Sequence, residues 1–282
     1  MTATNGGVKR RRLTPSWLRP PTPNTPDGSM TLVEHLRELR YRVVVAVVVI
    51  ILGTIGCAMF YDQLFGVLMV PYESAIARLA EQHPNLQTSV VTQGATAPLL
   101  LAMKISALGG VIVTSPLWLY QLWAFIVPGL LAKEKRWAVI FLALAVPLFL
   151  GGVALGYVIM PFAISVMIGF TPEGANITNL FELQEFLGFM MRTMLVFGGA
   201  FLVPLVLVLL NILGVVTGAQ LAKARNYIIF GSFVIAALVT PGDPFSMIAL
   251  AVPLSVLFIG AEVFARVNDR RRIRRGELVV PE

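Results

Sequence analysis

Residues that carry most catalytic and metal chemistry are scarce in this chain of 282 residues, which has one cysteine and two histidines. Cys57 stands alone inside an apolar run, which excludes a disulfide framework and a cluster of thiolate ligands. His35 and His83 lie on opposite sides of that run, and neither belongs to a metal-binding motif. A phosphate-binding glycine loop, a His-Glu-x-x-His helix and a nucleophile elbow are also missing. We therefore expect no catalytic residue, no metal, no cofactor and no enzymatic activity.

Charge is scarce as well, since 13% of the residues are charged and 57% are hydrophobic. Several apolar runs are long enough to cross the ~30 Å hydrocarbon core of a bilayer, which is typical of a multi-pass membrane protein. The expected fold is all-α, with six transmembrane helices. Prolines within these runs predict kinks and therefore a curved bundle. The six spans are predicted at approximately residues 43–60, 97–118, 137–160, 186–213, 227–239 and 245–264.

The fifth predicted span is the shortest of the six. Residues 227–239 would form roughly 20 Å of helix at 1.5 Å per residue, against a hydrocarbon core of ~30 Å. A helix of that length predicts local thinning of the bilayer, contact with water or packing against partner proteins.

Acidic residues are fewer than basic ones, 15 against 22, and the basic residues are unevenly placed. Of the five connections between spans, three contain a single cation between them, Arg78. The positive-inside rule therefore places both termini in the cytoplasm, which an even number of spans satisfies. The excess charge indicates topology rather than nucleic-acid binding, because no basic fold with interleaved aromatic residues accompanies it. Outside the two tails, the cations that set the orientation are Lys133, Lys135, Arg136, Lys223 and Arg225.

The chain divides into three parts. Residues 1–30 are basic and rich in proline, and we expect them to be a disordered cytoplasmic tail. Their paired arginines do not predict a targeting signal, because no apolar segment follows until Val43. Met30 is an alternative start of translation. Residues 31–265 form the predicted membrane domain, and residues 266–282 form a second basic cytoplasmic tail.

Two carboxylates flank predicted spans on the cytoplasmic side. Glu38 lies in the segment His-Leu-Arg-Glu-Leu-Arg-Tyr-Arg, residues 35–42, and Glu134 precedes the third span. Two acids on one membrane face suit a cationic ligand. Each also has a structural explanation: Arg42 follows Glu38 at helix-pair spacing, which contributes roughly 0.3–0.5 kcal/mol, and the helix dipole favours Glu134 near a helix start. Spacing alone leaves both explanations open for Glu38.

Charged residues inside predicted spans suggest a different function. Arg192 lies within the fourth span, and Glu185 lies two helical turns earlier on the same face, where it could partly neutralise the arginine. A small-solute or ion transporter could use this pair as a midplane site. A transporter would depend on charges in the membrane interior, whereas a receptor would depend on the cytoplasmic rim. A membrane-bound enzyme, the third interpretation, lacks a nucleophile or a metal cluster.

Four segments, taken in order, resemble the TatC family, the multispanning receptor subunit of the twin-arginine protein translocase. They are residues 35–42, the run Ser-Pro-Leu-Trp-Leu-Tyr-Gln-Leu-Trp-Ala-Phe-Ile-Val-Pro-Gly-Leu at 115–130, Glu-Lys-Arg at 134–136 and Thr-Pro-Gly-Asp-Pro-Phe-Ser at 240–246. The resemblance extends from Thr31 to about Arg266. One departure is Leu202, where many members have a glutamate. We expect Arg192, Glu185 or Glu262 to replace that intramembrane polar contact.

The resemblance implies a receptor in the cell membrane that binds the paired arginines of signal peptides on folded cargo. Glu38 and Glu134 would bind those arginines, since guanidinium groups form short bidentate bonds with carboxylates. Phe125 and Pro128 would shape the pocket, and Arg40 would orient Glu38 or meet lipid phosphate. The implied partners are the single-span proteins TatA and TatB, within a complex that holds several copies of the chain. The proton-motive force would drive transport.

Overall fold

The computed structural model describes residues 32–82, 87–126, 135–169, 178–239 and 244–275. These ranges contain eight α helices and two short strands. In chain order the elements are α1 (Leu32–Ala58), α2 (Tyr61–Gln82), β1 (Gln87–Val91), α3 (Ala97–Val113), α4 (Ser115–Ile126), α5 (Lys135–Gly169), β2 (Thr178–Glu182), α6 (Leu183–Ile212), α7 (Gly218–Val239) and α8 (Pro244–Arg274).

The expected helical membrane fold is confirmed. Among the described residues, α1, α5, α6 and α8 are long and apolar enough to cross a bilayer, and α3 with α4 makes a fifth candidate span bent by 61°. Helix α7 is the remaining element that corresponds to a predicted span. Helix α8 extends to Arg274, so the first part of the predicted C-terminal tail continues the last helix.

Helix α7 begins at Gly218, well before the predicted start at Tyr227. Its 22 residues correspond to roughly 33 Å of helix, but the part before Tyr227 contains Lys223 and Arg225. Within the described ranges, α7 is not among the helices that are both long and apolar enough to cross a bilayer, so the short apolar span at residues 227–239 stays a prediction. A capping box starts the helix: the Gln220 amide donates to Thr217 Oγ1 over 3.2 Å, and the Thr217 amide donates to Gln220 Oε1 over 2.9 Å.

Structure that hydropathy did not predict lies at the end of the molecule that the positive-inside rule assigns to the outside, which is called the outer side below. Helix α2 follows α1 after a two-residue turn and packs on α5, where the Tyr157 hydroxyl donates to the Val67 carbonyl over 2.7 Å. Strands β1 and β2 pair in parallel, with Gln87 opposite Thr178. This pairing ties together two outer connections that are distant in the sequence.

Helices α5 and α6 form the closest packed pair at the centre of the fold. A Cβ atom on Gly152 would lie 2.5 Å from the Phe197 carbonyl oxygen, and one on Gly156 would lie 2.9 Å from Met194 Cα. Small residues at these positions let the two backbones touch. Leu202 lies on the buried side of α6, with 6% of its surface exposed, and belongs to the hydrophobic core.

Two polar clusters join α6, α7 and α8 at the end of the bundle where α7 begins. Buried Asn211 donates to the Val216 carbonyl over 2.9 Å and to Asp269 Oδ1 over 2.8 Å, while Asp269 Oδ2 accepts the Gly218 amide over 2.6 Å. Within the membrane domain, Glu262 is fully buried and forms ion pairs with Arg225 and Arg266. These bonds hold the start of α7 against α8.

Candidate functional site

The bend between α3 and α4 positions the candidate site. Pro116, the second residue of α4, lacks an amide donor, and its ring would clash with the Ile112 carbonyl in a continuous helix. The Thr114 hydroxyl instead donates to the Gly110 carbonyl over 2.7 Å and closes the end of α3. The axis of α4 is therefore inclined by 61° to that of α3. Helix α4 packs against the first turns of α1 and covers the face of α1 that carries Glu38.

Glu38 is buried under this contact, with 4% of its surface exposed. Beside it, the rings of His35 on α1 and Phe125 on α4 stack with centroids 4.6 Å apart and planes 13° apart. The aromatic pair and the surrounding apolar residues lower the local dielectric, so a charge contact made here is stronger than one on the open surface.

The two oxygens of Glu38 have different surroundings. Oε1 accepts hydrogen bonds from Arg42 Nε over 2.8 Å and from Arg42 Nη2 over 2.5 Å. Oε2 is buried and accepts no hydrogen bond from any described residue, and His35 Nδ1 lies 3.9 Å away. A buried carboxylate oxygen without a donor is costly, so this atom is an acceptor available to a ligand.

Arg42, and not Arg40, orients Glu38 among the described contacts. Arg42 also reaches from α1 towards α4, where its Nη1 lies 3.5 Å from Gln121 Oε1, a long hydrogen bond. Arg40 is exposed on α1. Of the two roles predicted for Arg40, orienting Glu38 belongs to Arg42 among the described contacts, because Arg42 lies one helical turn after Glu38 on the same face, and contact with lipid phosphate stays a prediction.

The other predicted rim residues are divided between described and undescribed parts of the chain. The structure brings Phe125 to the Glu38 side of the bundle through its stack on His35. Pro128 and Glu134 lie outside the described residues, in the connection from the end of α4 to Lys135, the first residue of α5. Sequence reasoning missed His35 and Gln121 as neighbours of the site, although His35, Glu38 and Arg42 share one helical face.

A second polar site lies in the outer half of the bundle. Lys104 on α3 and Arg192 on α6 line a groove of about 560 Å³ together with Glu182 and Glu185. Arg192 Nε donates to the Gly188 carbonyl over 3.1 Å. No ion pair between Arg192 and Glu185 is present among the described residues, so the predicted neutralisation is not observed.

Many proteins that the sequence resembles have a glutamate at the position of Leu202. Glu262 does not replace it, because Glu262 is enclosed between two arginines at the opposite end of the molecule. Arg192 and Glu185 are polar groups of the outer groove, while Leu202 is buried in the core. Within the described ranges, no group of three or more histidine, cysteine, aspartate or glutamate side chains is arranged to hold a metal ion.

These features define a multi-pass helical membrane protein with a recessed, half-satisfied carboxylate at one rim. The model of the family TatC, Sec-independent protein translocase protein, matches residues 34–253. The chain therefore belongs to the TatC family, whose members are components of the twin-arginine translocase.

Relatives and solved structures agree with this assignment. The chain is 39% identical to the TatC protein of Xylanimonas cellulosilytica over 87% of both chains. It is 36% identical to the Frankia casuarinae protein, over 95% of this chain and 74% of that one, and 32% identical to that of Escherichia coli K12, over 85% and 90%. A crystal structure of the twin-arginine translocase receptor TatC in DDM matches with a TM-score of 0.69 and 31% identity, covering 82% of this chain and 99% of that chain.

Proposed function

We propose that the chain is the signal-peptide receptor and core subunit of a twin-arginine translocase, and that Glu38 binds one arginine of the signal peptide. The observation that carries this proposal is the buried Oε2 of Glu38, which has no donor among the described residues. Family membership and the match to solved structures of a translocase receptor support it.

The geometry explains how Glu38 can serve both a structural and a binding role. Arg42 occupies Oε1, which keeps the carboxylate ordered and leaves Oε2 for an incoming guanidinium. The stacked rings of His35 and Phe125 offer a flat surface on which a guanidinium group can lie, a contact that an ammonium group makes less well. Access requires the signal peptide to displace part of the cover over Glu38, because this side chain is almost fully buried.

The second arginine of the signal peptide binds Glu134 in this proposal, and Pro128 shapes the connection that carries it. Both assignments rest on the resemblance of residues 115–136 to the family. The chain resides in the cell membrane, has no catalytic activity of its own, and assembles as several copies with single-span proteins of the TatA and TatB type. The proton-motive force drives the movement of folded cargo through this assembly.

Photocrosslinking tests the proposal. A synthetic signal peptide with a photoreactive residue beside its paired arginines is mixed with the purified protein in detergent. We expect crosslinking to fall about tenfold with Glu38→Gln, with Glu134→Gln and with a Lys-Lys peptide. Each acid substitution removes a charge-assisted bond, and lysine cannot form the bidentate bond of a guanidinium group. Charge reversal at either acid should weaken binding further.

Glu73 supplies the matched control, because it is an exposed glutamate of α2 on the outer side. Glu73→Gln should leave crosslinking unchanged. Crosslinking that survives both rim substitutions would assign Glu38 and Glu134 purely structural roles and refute the proposal.

The transporter hypothesis gains no support from the structure. It requires Arg192 and Glu185 to act as a pair, and the described contact of Arg192 is with the Gly188 carbonyl of its own helix. The two side chains instead line an outer groove together with two further charged residues.

A further inference from the structure

The outer groove between α3 and α6 has a layered arrangement of charge. Its rim is acidic, since Glu182 immediately precedes α6 and Glu185 lies in the first turn of that helix. Two cations, Lys104 and Arg192, lie deeper. Apolar residues also line the groove, and three of them lie further along α3 and α6 than the cations, namely Leu108, Val111 and Leu195.

Helix geometry places the two cations at a similar depth. Lys104 lies seven residues after Ala97, the first residue of α3, and Arg192 lies nine residues after Leu183, the first residue of α6. At 1.5 Å per residue, these separations correspond to roughly 10 Å and 14 Å below the outer ends of the helices. The rim acids stand above this level, so negative charge is outermost and positive charge lies below it.

Both cations are exposed, and most of their donors have no partner among the described contacts. Arg192 Nε donates a hydrogen bond to the Gly188 carbonyl. In the part of the chain that the structure describes, no carboxylate forms an ion pair with Arg192 or Lys104. Cations within the span of a membrane helix need a polar partner, because hydrocarbon provides none. A negatively charged group at the level of Lys104 and Arg192 would supply such a partner.

We propose that this groove binds an aminophospholipid, phosphatidylethanolamine, from the outer leaflet. The order of charges in that lipid, from water inwards, is an ammonium group, a phosphate and two acyl chains. The ammonium group binds Glu182 and Glu185, and the phosphate binds Arg192 and Lys104. An acyl chain lies along Val111 and Leu195. This complementarity favours a zwitterionic lipid over an anionic one, because the rim acids repel a headgroup that has no cation.

The proposal is independent of signal-peptide binding, which concerns the opposite face of the membrane. The lipid would give the charged groove a neutral, membrane-compatible surface. It would also hold α3 against α6 at their outer ends. The strands that precede these two helices, β1 and β2, pair with each other at the same end.

Native mass spectrometry of the whole chain in detergent tests this inference. The protein is titrated with phosphatidylethanolamine, phosphatidylglycerol and phosphatidylcholine that have identical acyl chains. We expect phosphatidylethanolamine to bind about tenfold more tightly than phosphatidylglycerol, as a pair of ammonium–carboxylate bonds implies. Arg192→Gln should weaken phosphatidylethanolamine binding by about tenfold.

Arg78→Gln is the control, because Arg78 is an exposed arginine of α2 outside the groove, and it should leave lipid binding unchanged. Glu185→Gln tests the rim separately and should reduce the preference for phosphatidylethanolamine over phosphatidylglycerol. If Arg192→Gln lowers the amount of folded protein, this second variant still decides the question. Equal or tighter binding of phosphatidylglycerol by the wild type, or a preference unaffected by Glu185→Gln, would overturn the proposal.

Discussion

At the scale of single residues, two buried glutamates show how hydrogen bonding distinguishes a structural acid from an acid that can bind a ligand. Glu262 has both oxygens satisfied, since Arg225 Nη2 donates to Oε1 over 2.7 Å and Arg225 Nε donates to Oε2 over 2.8 Å. Glu38 has one satisfied and one free oxygen among the described contacts. A fully bonded buried acid holds helices together, whereas a half-bonded acid retains the capacity to bind a ligand.

The structural role of Glu262 gives a prediction about stability. Glu262→Gln removes the charge that Arg225 and Arg266 share, so two cations would face each other across an uncharged amide. We expect the apparent melting temperature in detergent to fall by several degrees, measured by thermal unfolding. Glu73→Gln, on an exposed glutamate, should leave the melting temperature unchanged. A Glu262→Gln protein that melts at the wild-type temperature would show that this ion-pair cluster does not stabilise the fold.

Sequence spacing predicted part of the rim site. The separation of four residues between Glu38 and Arg42 predicted their ion pair, which the structure confirms. The burial of Glu38 was not predictable, because it depends on the bend at Pro116 that brings α4 onto α1. The pairing of Arg225 with Glu262 was not predicted either, because these residues are far apart in the chain and meet only when α7 packs on α8.

At the scale of helices, close backbone contact explains the central pair α5 and α6. Gly152 faces α6, and a Cβ atom there would lie 2.8 Å from Gly198 Cα as well as 2.5 Å from the Phe197 carbonyl oxygen. The neighbouring Gly151 faces open space, because a Cβ atom added there would have no described atom of a neighbouring element within 4 Å. The two adjacent glycines therefore have different functions in the same helix.

This difference predicts that replacing glycine with alanine has opposite effects on stability at the two positions. Gly152→Ala should destabilise the protein by about 2 kcal/mol, because the added methyl group forces the helices apart. Gly151→Ala should have no destabilising effect and could add up to ~1 kcal/mol through helix propensity. Thermal unfolding in detergent compares the two. Equal melting temperatures for both variants would contradict the packing of α5 on α6 described above.

Helix boundaries were predicted less well than the existence of helices. Hydropathy located every apolar segment but not α2, because Asp62, Glu73 and Arg78 interrupt its apolar pattern. The start of α7 was placed at Tyr227, where the apolar run begins, although Thr217 and Gln220 form a recognisable capping box before it. In both cases polar residues belong to the helix and mark its ends, which a search for lipid-soluble segments does not detect.

At the scale of the whole molecule, the distribution of cations predicts orientation. The arginines of the first turns of α1, the start of α7 and the end of α8 lie at one end of the bundle, and the strand pair β1–β2 lies at the other. The positive-inside rule assigns the first end to the cytoplasm. Both the proposed signal-peptide site and the proposed lipid groove depend on this orientation, because they lie at opposite ends.

Cysteine labelling in intact cells checks the orientation. In a Cys57→Ala background, Gln93→Cys places a thiol near the outer strands and Val215→Cys places one in the exposed turn between α6 and α7. A membrane-impermeant maleimide should label the protein with Gln93→Cys in intact cells, and should label that with Val215→Cys only after permeabilisation. The reverse pattern would invert the topology and place Glu38 outside the cell.

The central claim is a direct bond between Glu38 and a signal-peptide arginine, and a double-mutant cycle measures it. Dissociation constants are determined for the wild type and Glu38→Gln, each with the twin-arginine peptide and with a peptide in which one arginine is glutamine. We predict a coupling free energy of about 1.5 kcal/mol or more for one of the two arginines, which corresponds to about tenfold in affinity. Effects that add within about 0.5 kcal/mol for both arginines, as expected for the control Glu73→Gln, would contradict the claim.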